Sequence, residues 1–242
     1  MAERFPGAAT HLVTGASSGI GFEVARLLGE RGDKVVMLVR SEDRIDPLAE
    51  RLPRHDRILP LDLADADAVV AWAEEFGRGE PAITGLDSVI HCAGVVELDA
   101  VAELDPADWR RTIAVNLTAP ALLTRGLLPL LRAARGTVVF VNSGSGLRAN
   151  PQWASYNASK FGLRGLADAL RAEEAEHGVR VTSVFPGRTA TAMQEKVHAQ
   201  EGKEYDAADW IRPETVAETV VQVLDLAEDA TVPDVVIRPR AR

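Results

Sequence analysis

Cysteine is almost missing from this chain. Cys92 stands alone in 242 residues, so no intrachain disulfide forms and no cysteine-rich zinc site or iron–sulfur cluster can be built. A reducing cytoplasm is the expected setting. The five histidines, His11, His55, His91, His177 and His198, show no H-x-x-H or H-E-x-x-H spacing, and no metal site is expected. Positive charge is scarce as well: Lys plus Arg number 27 against 36 Asp plus Glu, a net charge of −9. Nucleic acid and anionic membrane surfaces are repelled on average, and no basic run compensates, so neither is an expected partner. No run reaches about 18 uncharged apolar residues, the length that spans a bilayer. The first nine residues include Glu3 and Arg4 but no apolar core of a signal peptide. Neither an internal repeat nor a Ser/Gly/Pro linker divides the sequence.

What remains is ordinary globular chemistry, with 46% hydrophobic and 26% charged residues, in a length that suits one α/β domain over 1–242. Short β-branched runs recur at Thr10–Val13, Lys34–Val39, Arg57–Leu61, Leu86–Cys92, Thr137–Asn142, Val179–Phe185 and Val235–Ile237. Several are apolar nearly throughout, as strands covered on both faces must be. Helical patterns lie between them. Asp65 or Asp67 is placed to cap one, Pro213 suits the first turn of another, and a long one begins at Pro106 and Asp108 and reaches about Ala134. Pro120 and Pro129 are expected to bend or break that last helix, since each removes a backbone donor. Seven strands alternating with helices predict a doubly wound, Rossmann-like parallel sheet with helices on both faces.

The first strand runs into Thr14-Gly15-Ala16-Ser17-Ser18-Gly19-Ile20-Gly21 and then a helix. Glycines there permit positive φ and close approach by a pyrophosphate, and the following helix start offers free N–H groups to an anion. On its own such a turn is equally a plain tight turn. Its place between strand and helix is the context a dinucleotide site requires. This turn resembles the T-G-x-x-x-G-x-G motif of the short-chain dehydrogenase/reductase family, in its single-domain form of about 250 residues. Further motifs follow in that family's order. Asp62-Leu63 is similar to its adenine-contacting position, Ala93-Gly94 to the end of N-N-A-G, and Asn116 to its active-site asparagine. Ser143, Tyr156 and Lys160 resemble its serine and Y-x-x-x-K pair, and Pro186-Gly187 with Thr189 and Thr191 its loop over the nicotinamide. The spacing agrees too: Ser143 stands 27 residues after Asn116, Tyr156 13 after Ser143, and Lys160 four after Tyr156.

The resemblance implies an oxidoreductase that interconverts a carbonyl and an alcohol. It implies catalysis by Asn116, Ser143, Tyr156 and Lys160. The cofactor would be held by Gly15, Ser17, Ser18, Gly19, Ile20, Gly21, Arg40, Asp62, Leu63, Ala93, Gly94, Tyr156, Lys160, Pro186, Gly187, Thr189 and Thr191. In this scheme Tyr156 is general acid in reduction and general base in oxidation. Lys160, one helical turn on, lowers the phenol's pKa together with the oxidised nicotinamide and holds the ribose. Ser143 polarises the carbonyl oxygen. Asn116 interrupts its helix and holds a water that links Lys160 to solvent. Where relatives that use NAD carry a carboxylate at the end of the second strand, this chain has Val39 followed by Arg40. An arginine binds a 2′-phosphate, so NADP(H) is favoured and NAD(H) stays usable, for Arg40 would equally stack on adenine or face solvent.

His91-Cys92 departs from the family's paired asparagines, and the tail from Val235 to Arg240 lacks a Gly-rich ending. Residues 188–212, polar and weakly patterned, are expected to form a mobile lid over a small-molecule substrate. Trp153 and Trp210 are candidates for the substrate pocket, and Arg148 and Arg188 for an anionic substrate. The helices from Asp108 and from Ser155 suggest a homodimer or homotetramer. Two other functions fit the motifs: a 3-oxoacyl-carrier-protein reductase, and a catalytically silent dinucleotide-binding sensor or scaffold.

Overall fold

The computed structural model describes residues 8–52, 57–78 and 83–240; His55 and most of the segment expected to lack a signal peptide lie outside them. Seven strands form where the β-branched runs fall: β1 (Thr10–Thr14), β2 (Lys34–Val39), β3 (Arg57–Pro60), β4 (Ser88–His91), β5 (Thr137–Val141), β6 (Arg180–Pro186) and β7 (Asp234–Ile237). They pair in parallel in the order β3-β2-β1-β4-β5-β6-β7. Eight α-helices accompany them among the described residues: α1 (Gly19–Glu30), α2 (Ile45–Arg51), α3 (Ala66–Gly77), α4 (Pro106–Ile113), α5 (Ala119–Ala134), α6 (Ala154–Glu174), α7 (Ala192–Gln200) and α8 (Pro213–Leu224).

Period-two alternation sorts the strand side chains into two cores. Leu12, Val36, Val89, Val138 and Val181 face Val69 and Ala73 of α3, Leu123 and Leu127 of α5, and Leu163 of α6. Their neighbours Val13, Val35, Met37, Ile90, Val139 and Val184 face Val24 and Leu28 of α1 and Val216 and Val220 of α8. With both faces covered, the central strands have no solvent side, which is why their sequences read as unbroken apolar runs.

The helix ends follow their local chemistry. Asp65 Oδ1 accepts the Ala68 N–H at 3.0 Å and caps α3, and Pro213 opens α8. At the start of α4 the cap is Asp105, which accepts from the amides of Ala107 and Asp108. The long helix is interrupted just ahead of Pro120, as a π-helical turn at Ala114–Thr118. Pro120 has no N–H to give the Asn116 carbonyl four residues back, in keeping with an irregular turn there, whereas Pro129 lies inside α5 without ending it. Buried Leu127, Leu130 and Leu131 around Pro129 hold the helix across the missing bond. By length and composition Pro106–Ala134 is apolar enough to cross a membrane. Here its apolar face, including Leu123, Leu127 and Leu131, belongs to the core.

Strand order sets the position of the functional cleft. From β1 the chain winds outward through β2 and β3, then returns to β4 and winds the other way. The crossovers part between β1 and β4, and a crevice opens at the carboxyl ends of these strands.

Across α5 and α6, Arg132 binds the carboxylate of Glu174 through two bonds of 2.8 and 2.7 Å, and that carboxylate is buried. Arg132→Ala removes both bonds and should lower the urea midpoint of unfolding; a midpoint equal to wild type would mean that the pair contributes nothing.

Candidate active site

The crevice between β1 and β4 is a cleft of about 1360 Å³. Thr14, buried at the end of β1, ties its two sides together: its Oγ1 accepts from the amides of both Cys92 and Ala93, each at 3.1 Å. The turn after Thr14 needs its glycines. Gly15 has a φ of 67°, and a Cβ there would stand 2.8 Å from the backbone of Ala93. A Cβ on Gly21 would meet the Gly15 carbonyl at 2.5 Å. Helix α1 starts at Gly19 with no side-chain cap on its N–H groups and no acidic residue in its first turn. Its amides and dipole are therefore directed at the cleft without a protein anion to satisfy them. Six cations line the cleft, Arg40, Arg44, Arg111, Lys160, Arg188 and Lys203, against the carboxylates Asp62 and Glu201, although the whole chain carries −9. A phosphate-rich dinucleotide fits this cradle in shape and in charge.

Every residue expected to touch a dinucleotide lines the cleft, from Gly15 to Thr191. So do Ser143, Tyr156 and Lys160. Ser143 follows β5, and Tyr156 and Lys160 share one face of α6, which brings the hydroxyl, the phenol and the ammonium to one wall. The Ser143 hydroxyl, which accepts from the Ser145 amide at 3.1 Å, stands near enough to the Tyr156 phenol to pull its pKa downward. Trp153 meets Tyr156 edge-on, with ring centroids 5.6 Å apart, and Val96, Leu98 and Val197 complete an apolar surround for the phenol. Lys160 Nζ donates to the Val141 carbonyl at 3.1 Å and stands 5.6 Å from the centroid of the Tyr156 ring.

Asn116 lies one layer behind this wall, in the π-helical turn. Its Oδ1 accepts from the Val95 amide at 2.8 Å, and its Nδ2 donates to the Val95 carbonyl at 2.9 Å and to Ser159 Oγ at 3.1 Å. The amide thus joins the loop after β4 to α6. Both donor hydrogens of its side chain are engaged by protein. A residue that the sequence reading passed over does comparable work: buried Asn142 accepts from the Ser143 amide at 2.9 Å and donates to the Lys160 carbonyl at 3.1 Å. The readable signal was an asparagine at a strand end directly before the candidate serine.

Burial controls protonation at the wall. Desolvation raises the Tyr156 phenol above its usual 10, opposed by the Ser143 hydroxyl. It presses the Lys160 ammonium down to about 8 and pushes the neighbouring Cys92 thiol up to about 12. The expected lowering by Lys160 acts together with the oxidised nicotinamide; from the protein's own groups the shift is upward, led by loss of water around the phenol. His91, where relatives carry asparagine, is held neutral by burial, with a pKa of about 3. Its Nε2 bonds Thr124 Oγ1 at 2.9 Å and its ring stacks on Phe140.

The segment 188–212 is folded, built around α7 and closed at its base by the Thr189–Ile211 bridge. Arg188 binds Glu201 at 2.5 Å, Glu201 also accepts from Lys203 at 3.0 Å, and the side chains of Gln194 and His198 pair at 2.9 Å. Because polar Gln194 and His198 are buried, α7 has no apolar stripe to read. Trp153 lines the cleft, whereas Trp210 packs on His198 and under Arg188, and Arg148 is not part of the lining. Arg44 and Arg111 line it and escaped the sequence reading. The loop at Gly187 rests on the last strand: its amide donates to the Ile237 carbonyl at 2.8 Å, Pro239 closes over its Cα, and the Arg238 guanidinium lies against Gly144.

Comparison with known proteins agrees with this geometry. The short chain dehydrogenase family profile matches residues 9–202. Nodulation protein G of Rhizobium sp. (strain N33) is 32% identical over 198 residues, covering 81% of this chain and 80% of its own. A metagenomic short-chain oxidoreductase solved in complex with NADP superimposes with a TM-score of 0.79 at 30% identity, covering 96% of this chain and 98% of its own. A variant of actinorhodin polyketide ketoreductase with NADPH superimposes at 0.85 and 26% identity, covering 96% of both chains.

The depressed lysine has a consequence that needs no turnover assay. A pKa of about 8 in the fold against 10.5 for an ordinary lysine means that the unfolded chain binds the proton more tightly between these values. Wild-type stability, measured relative to Lys160→Met, should therefore rise by about 3 kcal/mol as pH climbs through this window. A difference that stays level from pH 8 to 10.5 would show that the ammonium is not buried.

Proposed function

The chain belongs to the short-chain dehydrogenase family, and from that footing we propose an NADP(H)-dependent oxidoreductase that interconverts a ketone or aldehyde with its alcohol, with Tyr156 as the proton donor and acceptor. One observation carries this reading: a hydroxyl, a phenol and a buried ammonium meet on one wall of a cleft whose opposite end is a glycine cradle under an uncapped helix start. In this reading the cradle from Gly15 to Gly21 holds the pyrophosphate and Arg40 the 2′-phosphate. Asp62 and Leu63 bound the adenine, and Ala93, Gly94 and the loop from Pro186 to Thr191 flank the nicotinamide. NADPH, when bound, supplies the hydride for the carbonyl carbon.

The chain's own residues do the rest. A phenol raised above 10 is protonated at neutral pH, so Tyr156 is loaded as an acid. As hydride reaches carbon, negative charge gathers on the substrate oxygen, which becomes a far stronger base than phenolate and takes the phenol's proton. Ser143, beside the phenol, donates to the same oxygen and keeps it in line. Lys160, with a pKa of about 8, carries its charge at pH 7 and stabilises the phenolate left behind. In the oxidation direction that phenolate recovers the proton from the alcohol. Asn116 and Asn142 are positioning residues, the first setting α6 against the loop after β4, the second fixing Ser143 relative to Lys160. The segment 188–212 serves as the substrate lid within this single domain. Exposed Trp109 on α4 and Phe161 on α6 leave apolar surface that supports assembly into a dimer or tetramer.

Tyr156→Phe keeps the ring and removes the proton. It should retain NADPH binding by fluorescence titration and lose about 10³-fold or more in kcat on whichever carbonyl a substrate panel identifies. Retention of most turnover would end the acid–base assignment. Arg40→Glu should raise KM for NADPH about 10-fold or more while sparing NADH. A wild-type enzyme that prefers NADH would overturn the cofactor assignment.

A further inference from the structure

The cations of the cleft are not all accounted for by a dinucleotide. Arg40 and Arg44 lie at the end of the cleft beside β2, and Lys160 is part of the catalytic wall. Under the lid, Arg188 and Lys203 both bond Glu201. Arg111 is different. It projects from α4 one turn before Val115, and the two line the cleft from the same helix face. Its side chain forms no hydrogen bond or ion pair with any described residue. The carboxylate within its electrostatic reach, Glu97, is already taken by Lys196 and Gln200. Arg111 is exposed at the cleft and stands five residues before Asn116, roughly 7–8 Å along a helix axis. The same cleft carries an apolar surface of Val96, Trp153 and Val197 around the phenol. With Arg188 and Lys203 engaged by Glu201, Arg111 is the cation on this side of the cleft without a partner among the described residues.

We infer that the substrate is an oxo acid, its carbonyl at Tyr156 and its carboxylate paired with Arg111 across an apolar spacer; this rests on the carbonyl–alcohol reading above. A guanidinium and a carboxylate pair fork to fork, and the apolar wall accepts the intervening methylenes. Arg111 is then a specificity-determining residue: it selects the substrate and takes no part in proton or hydride transfer.

The test uses straight-chain oxo acids with the carbonyl two to five carbons from the carboxylate, each beside its own methyl ester, with NADPH and the full chain. For at least one chain length, kcat/KM for the acid should exceed that for the ester by about 10- to 100-fold. Arg111→Gln should bring this ratio to within about threefold. Arg110→Gln, which alters charge on the neighbouring residue outside the cleft, should leave the ratio intact. Calorimetric titration of the NADPH complex with the matching saturated carboxylates should show the same loss of binding in Arg111→Gln. Acids and esters turned over equally, or a preference abolished as well by Arg110→Gln, would overturn the inference while leaving the reductase reading in place. Absence of turnover on both members of every pair, with no carboxylate bound, would overturn the inference, and the reductase reading falls with it only if the broader carbonyl panel is inert as well.

Discussion

The molecule is organised around one parting, where crossovers leave β1 toward one edge of the sheet and β4 toward the other. β1 and β4 pair directly up to Thr14, and beyond the last pair the Thr14 hydroxyl bridges the two strand ends by accepting from two consecutive amides on the far side. The bond pair fixes the distance across which the glycine turn and the loop after β4 face one another. Gly15 then has no room for a side chain because Ala93 is already there. The cradle and the catalytic wall are therefore two sides of one rigid seam.

Rigidity of this kind makes desolvation the controlling term at the wall. Protein surrounds Tyr156 and Lys160, and each is driven toward its neutral form, the phenol upward and the ammonium downward. The two shifts move their proton affinities apart, so the resting phenol keeps its proton more firmly than the ammonium does. In the proposed mechanism the charge of Lys160 helps once phenolate forms. The lowering anticipated from the sequence also calls on the positive charge of the oxidised nicotinamide, whereas the protein's own groups raise the phenol.

The strands, the cradle and the catalytic wall were legible because each is written in local chemistry. β-branched runs such as Val35 to Val39 need no partner to be recognised, and the spacing from Asn116 to Lys160 is a property of the chain itself. Features set by tertiary contact were harder to see. Pro120 marked an interruption, but not that it would be a π-helical turn carrying Asn116, whose side chain reaches Val95 and Ser159. Helix α7 was hidden because its buried face is polar, Gln194 and His198 satisfying one another. Arg111 sits in a helix that reads as ordinary surface, and only the bend of the chain around the cleft gives its charge an address.

The closing strand acts as a splint. Ile237 and Pro239 brace the loop at Gly187, while Arg238 leans on Gly144, next to the candidate serine. Two cleft-lining loops from distant parts of the chain therefore share one support. Sequence drift in these last few residues would retune turnover without unfolding the protein, giving evolution a remote adjustment screw for the enzyme's pace.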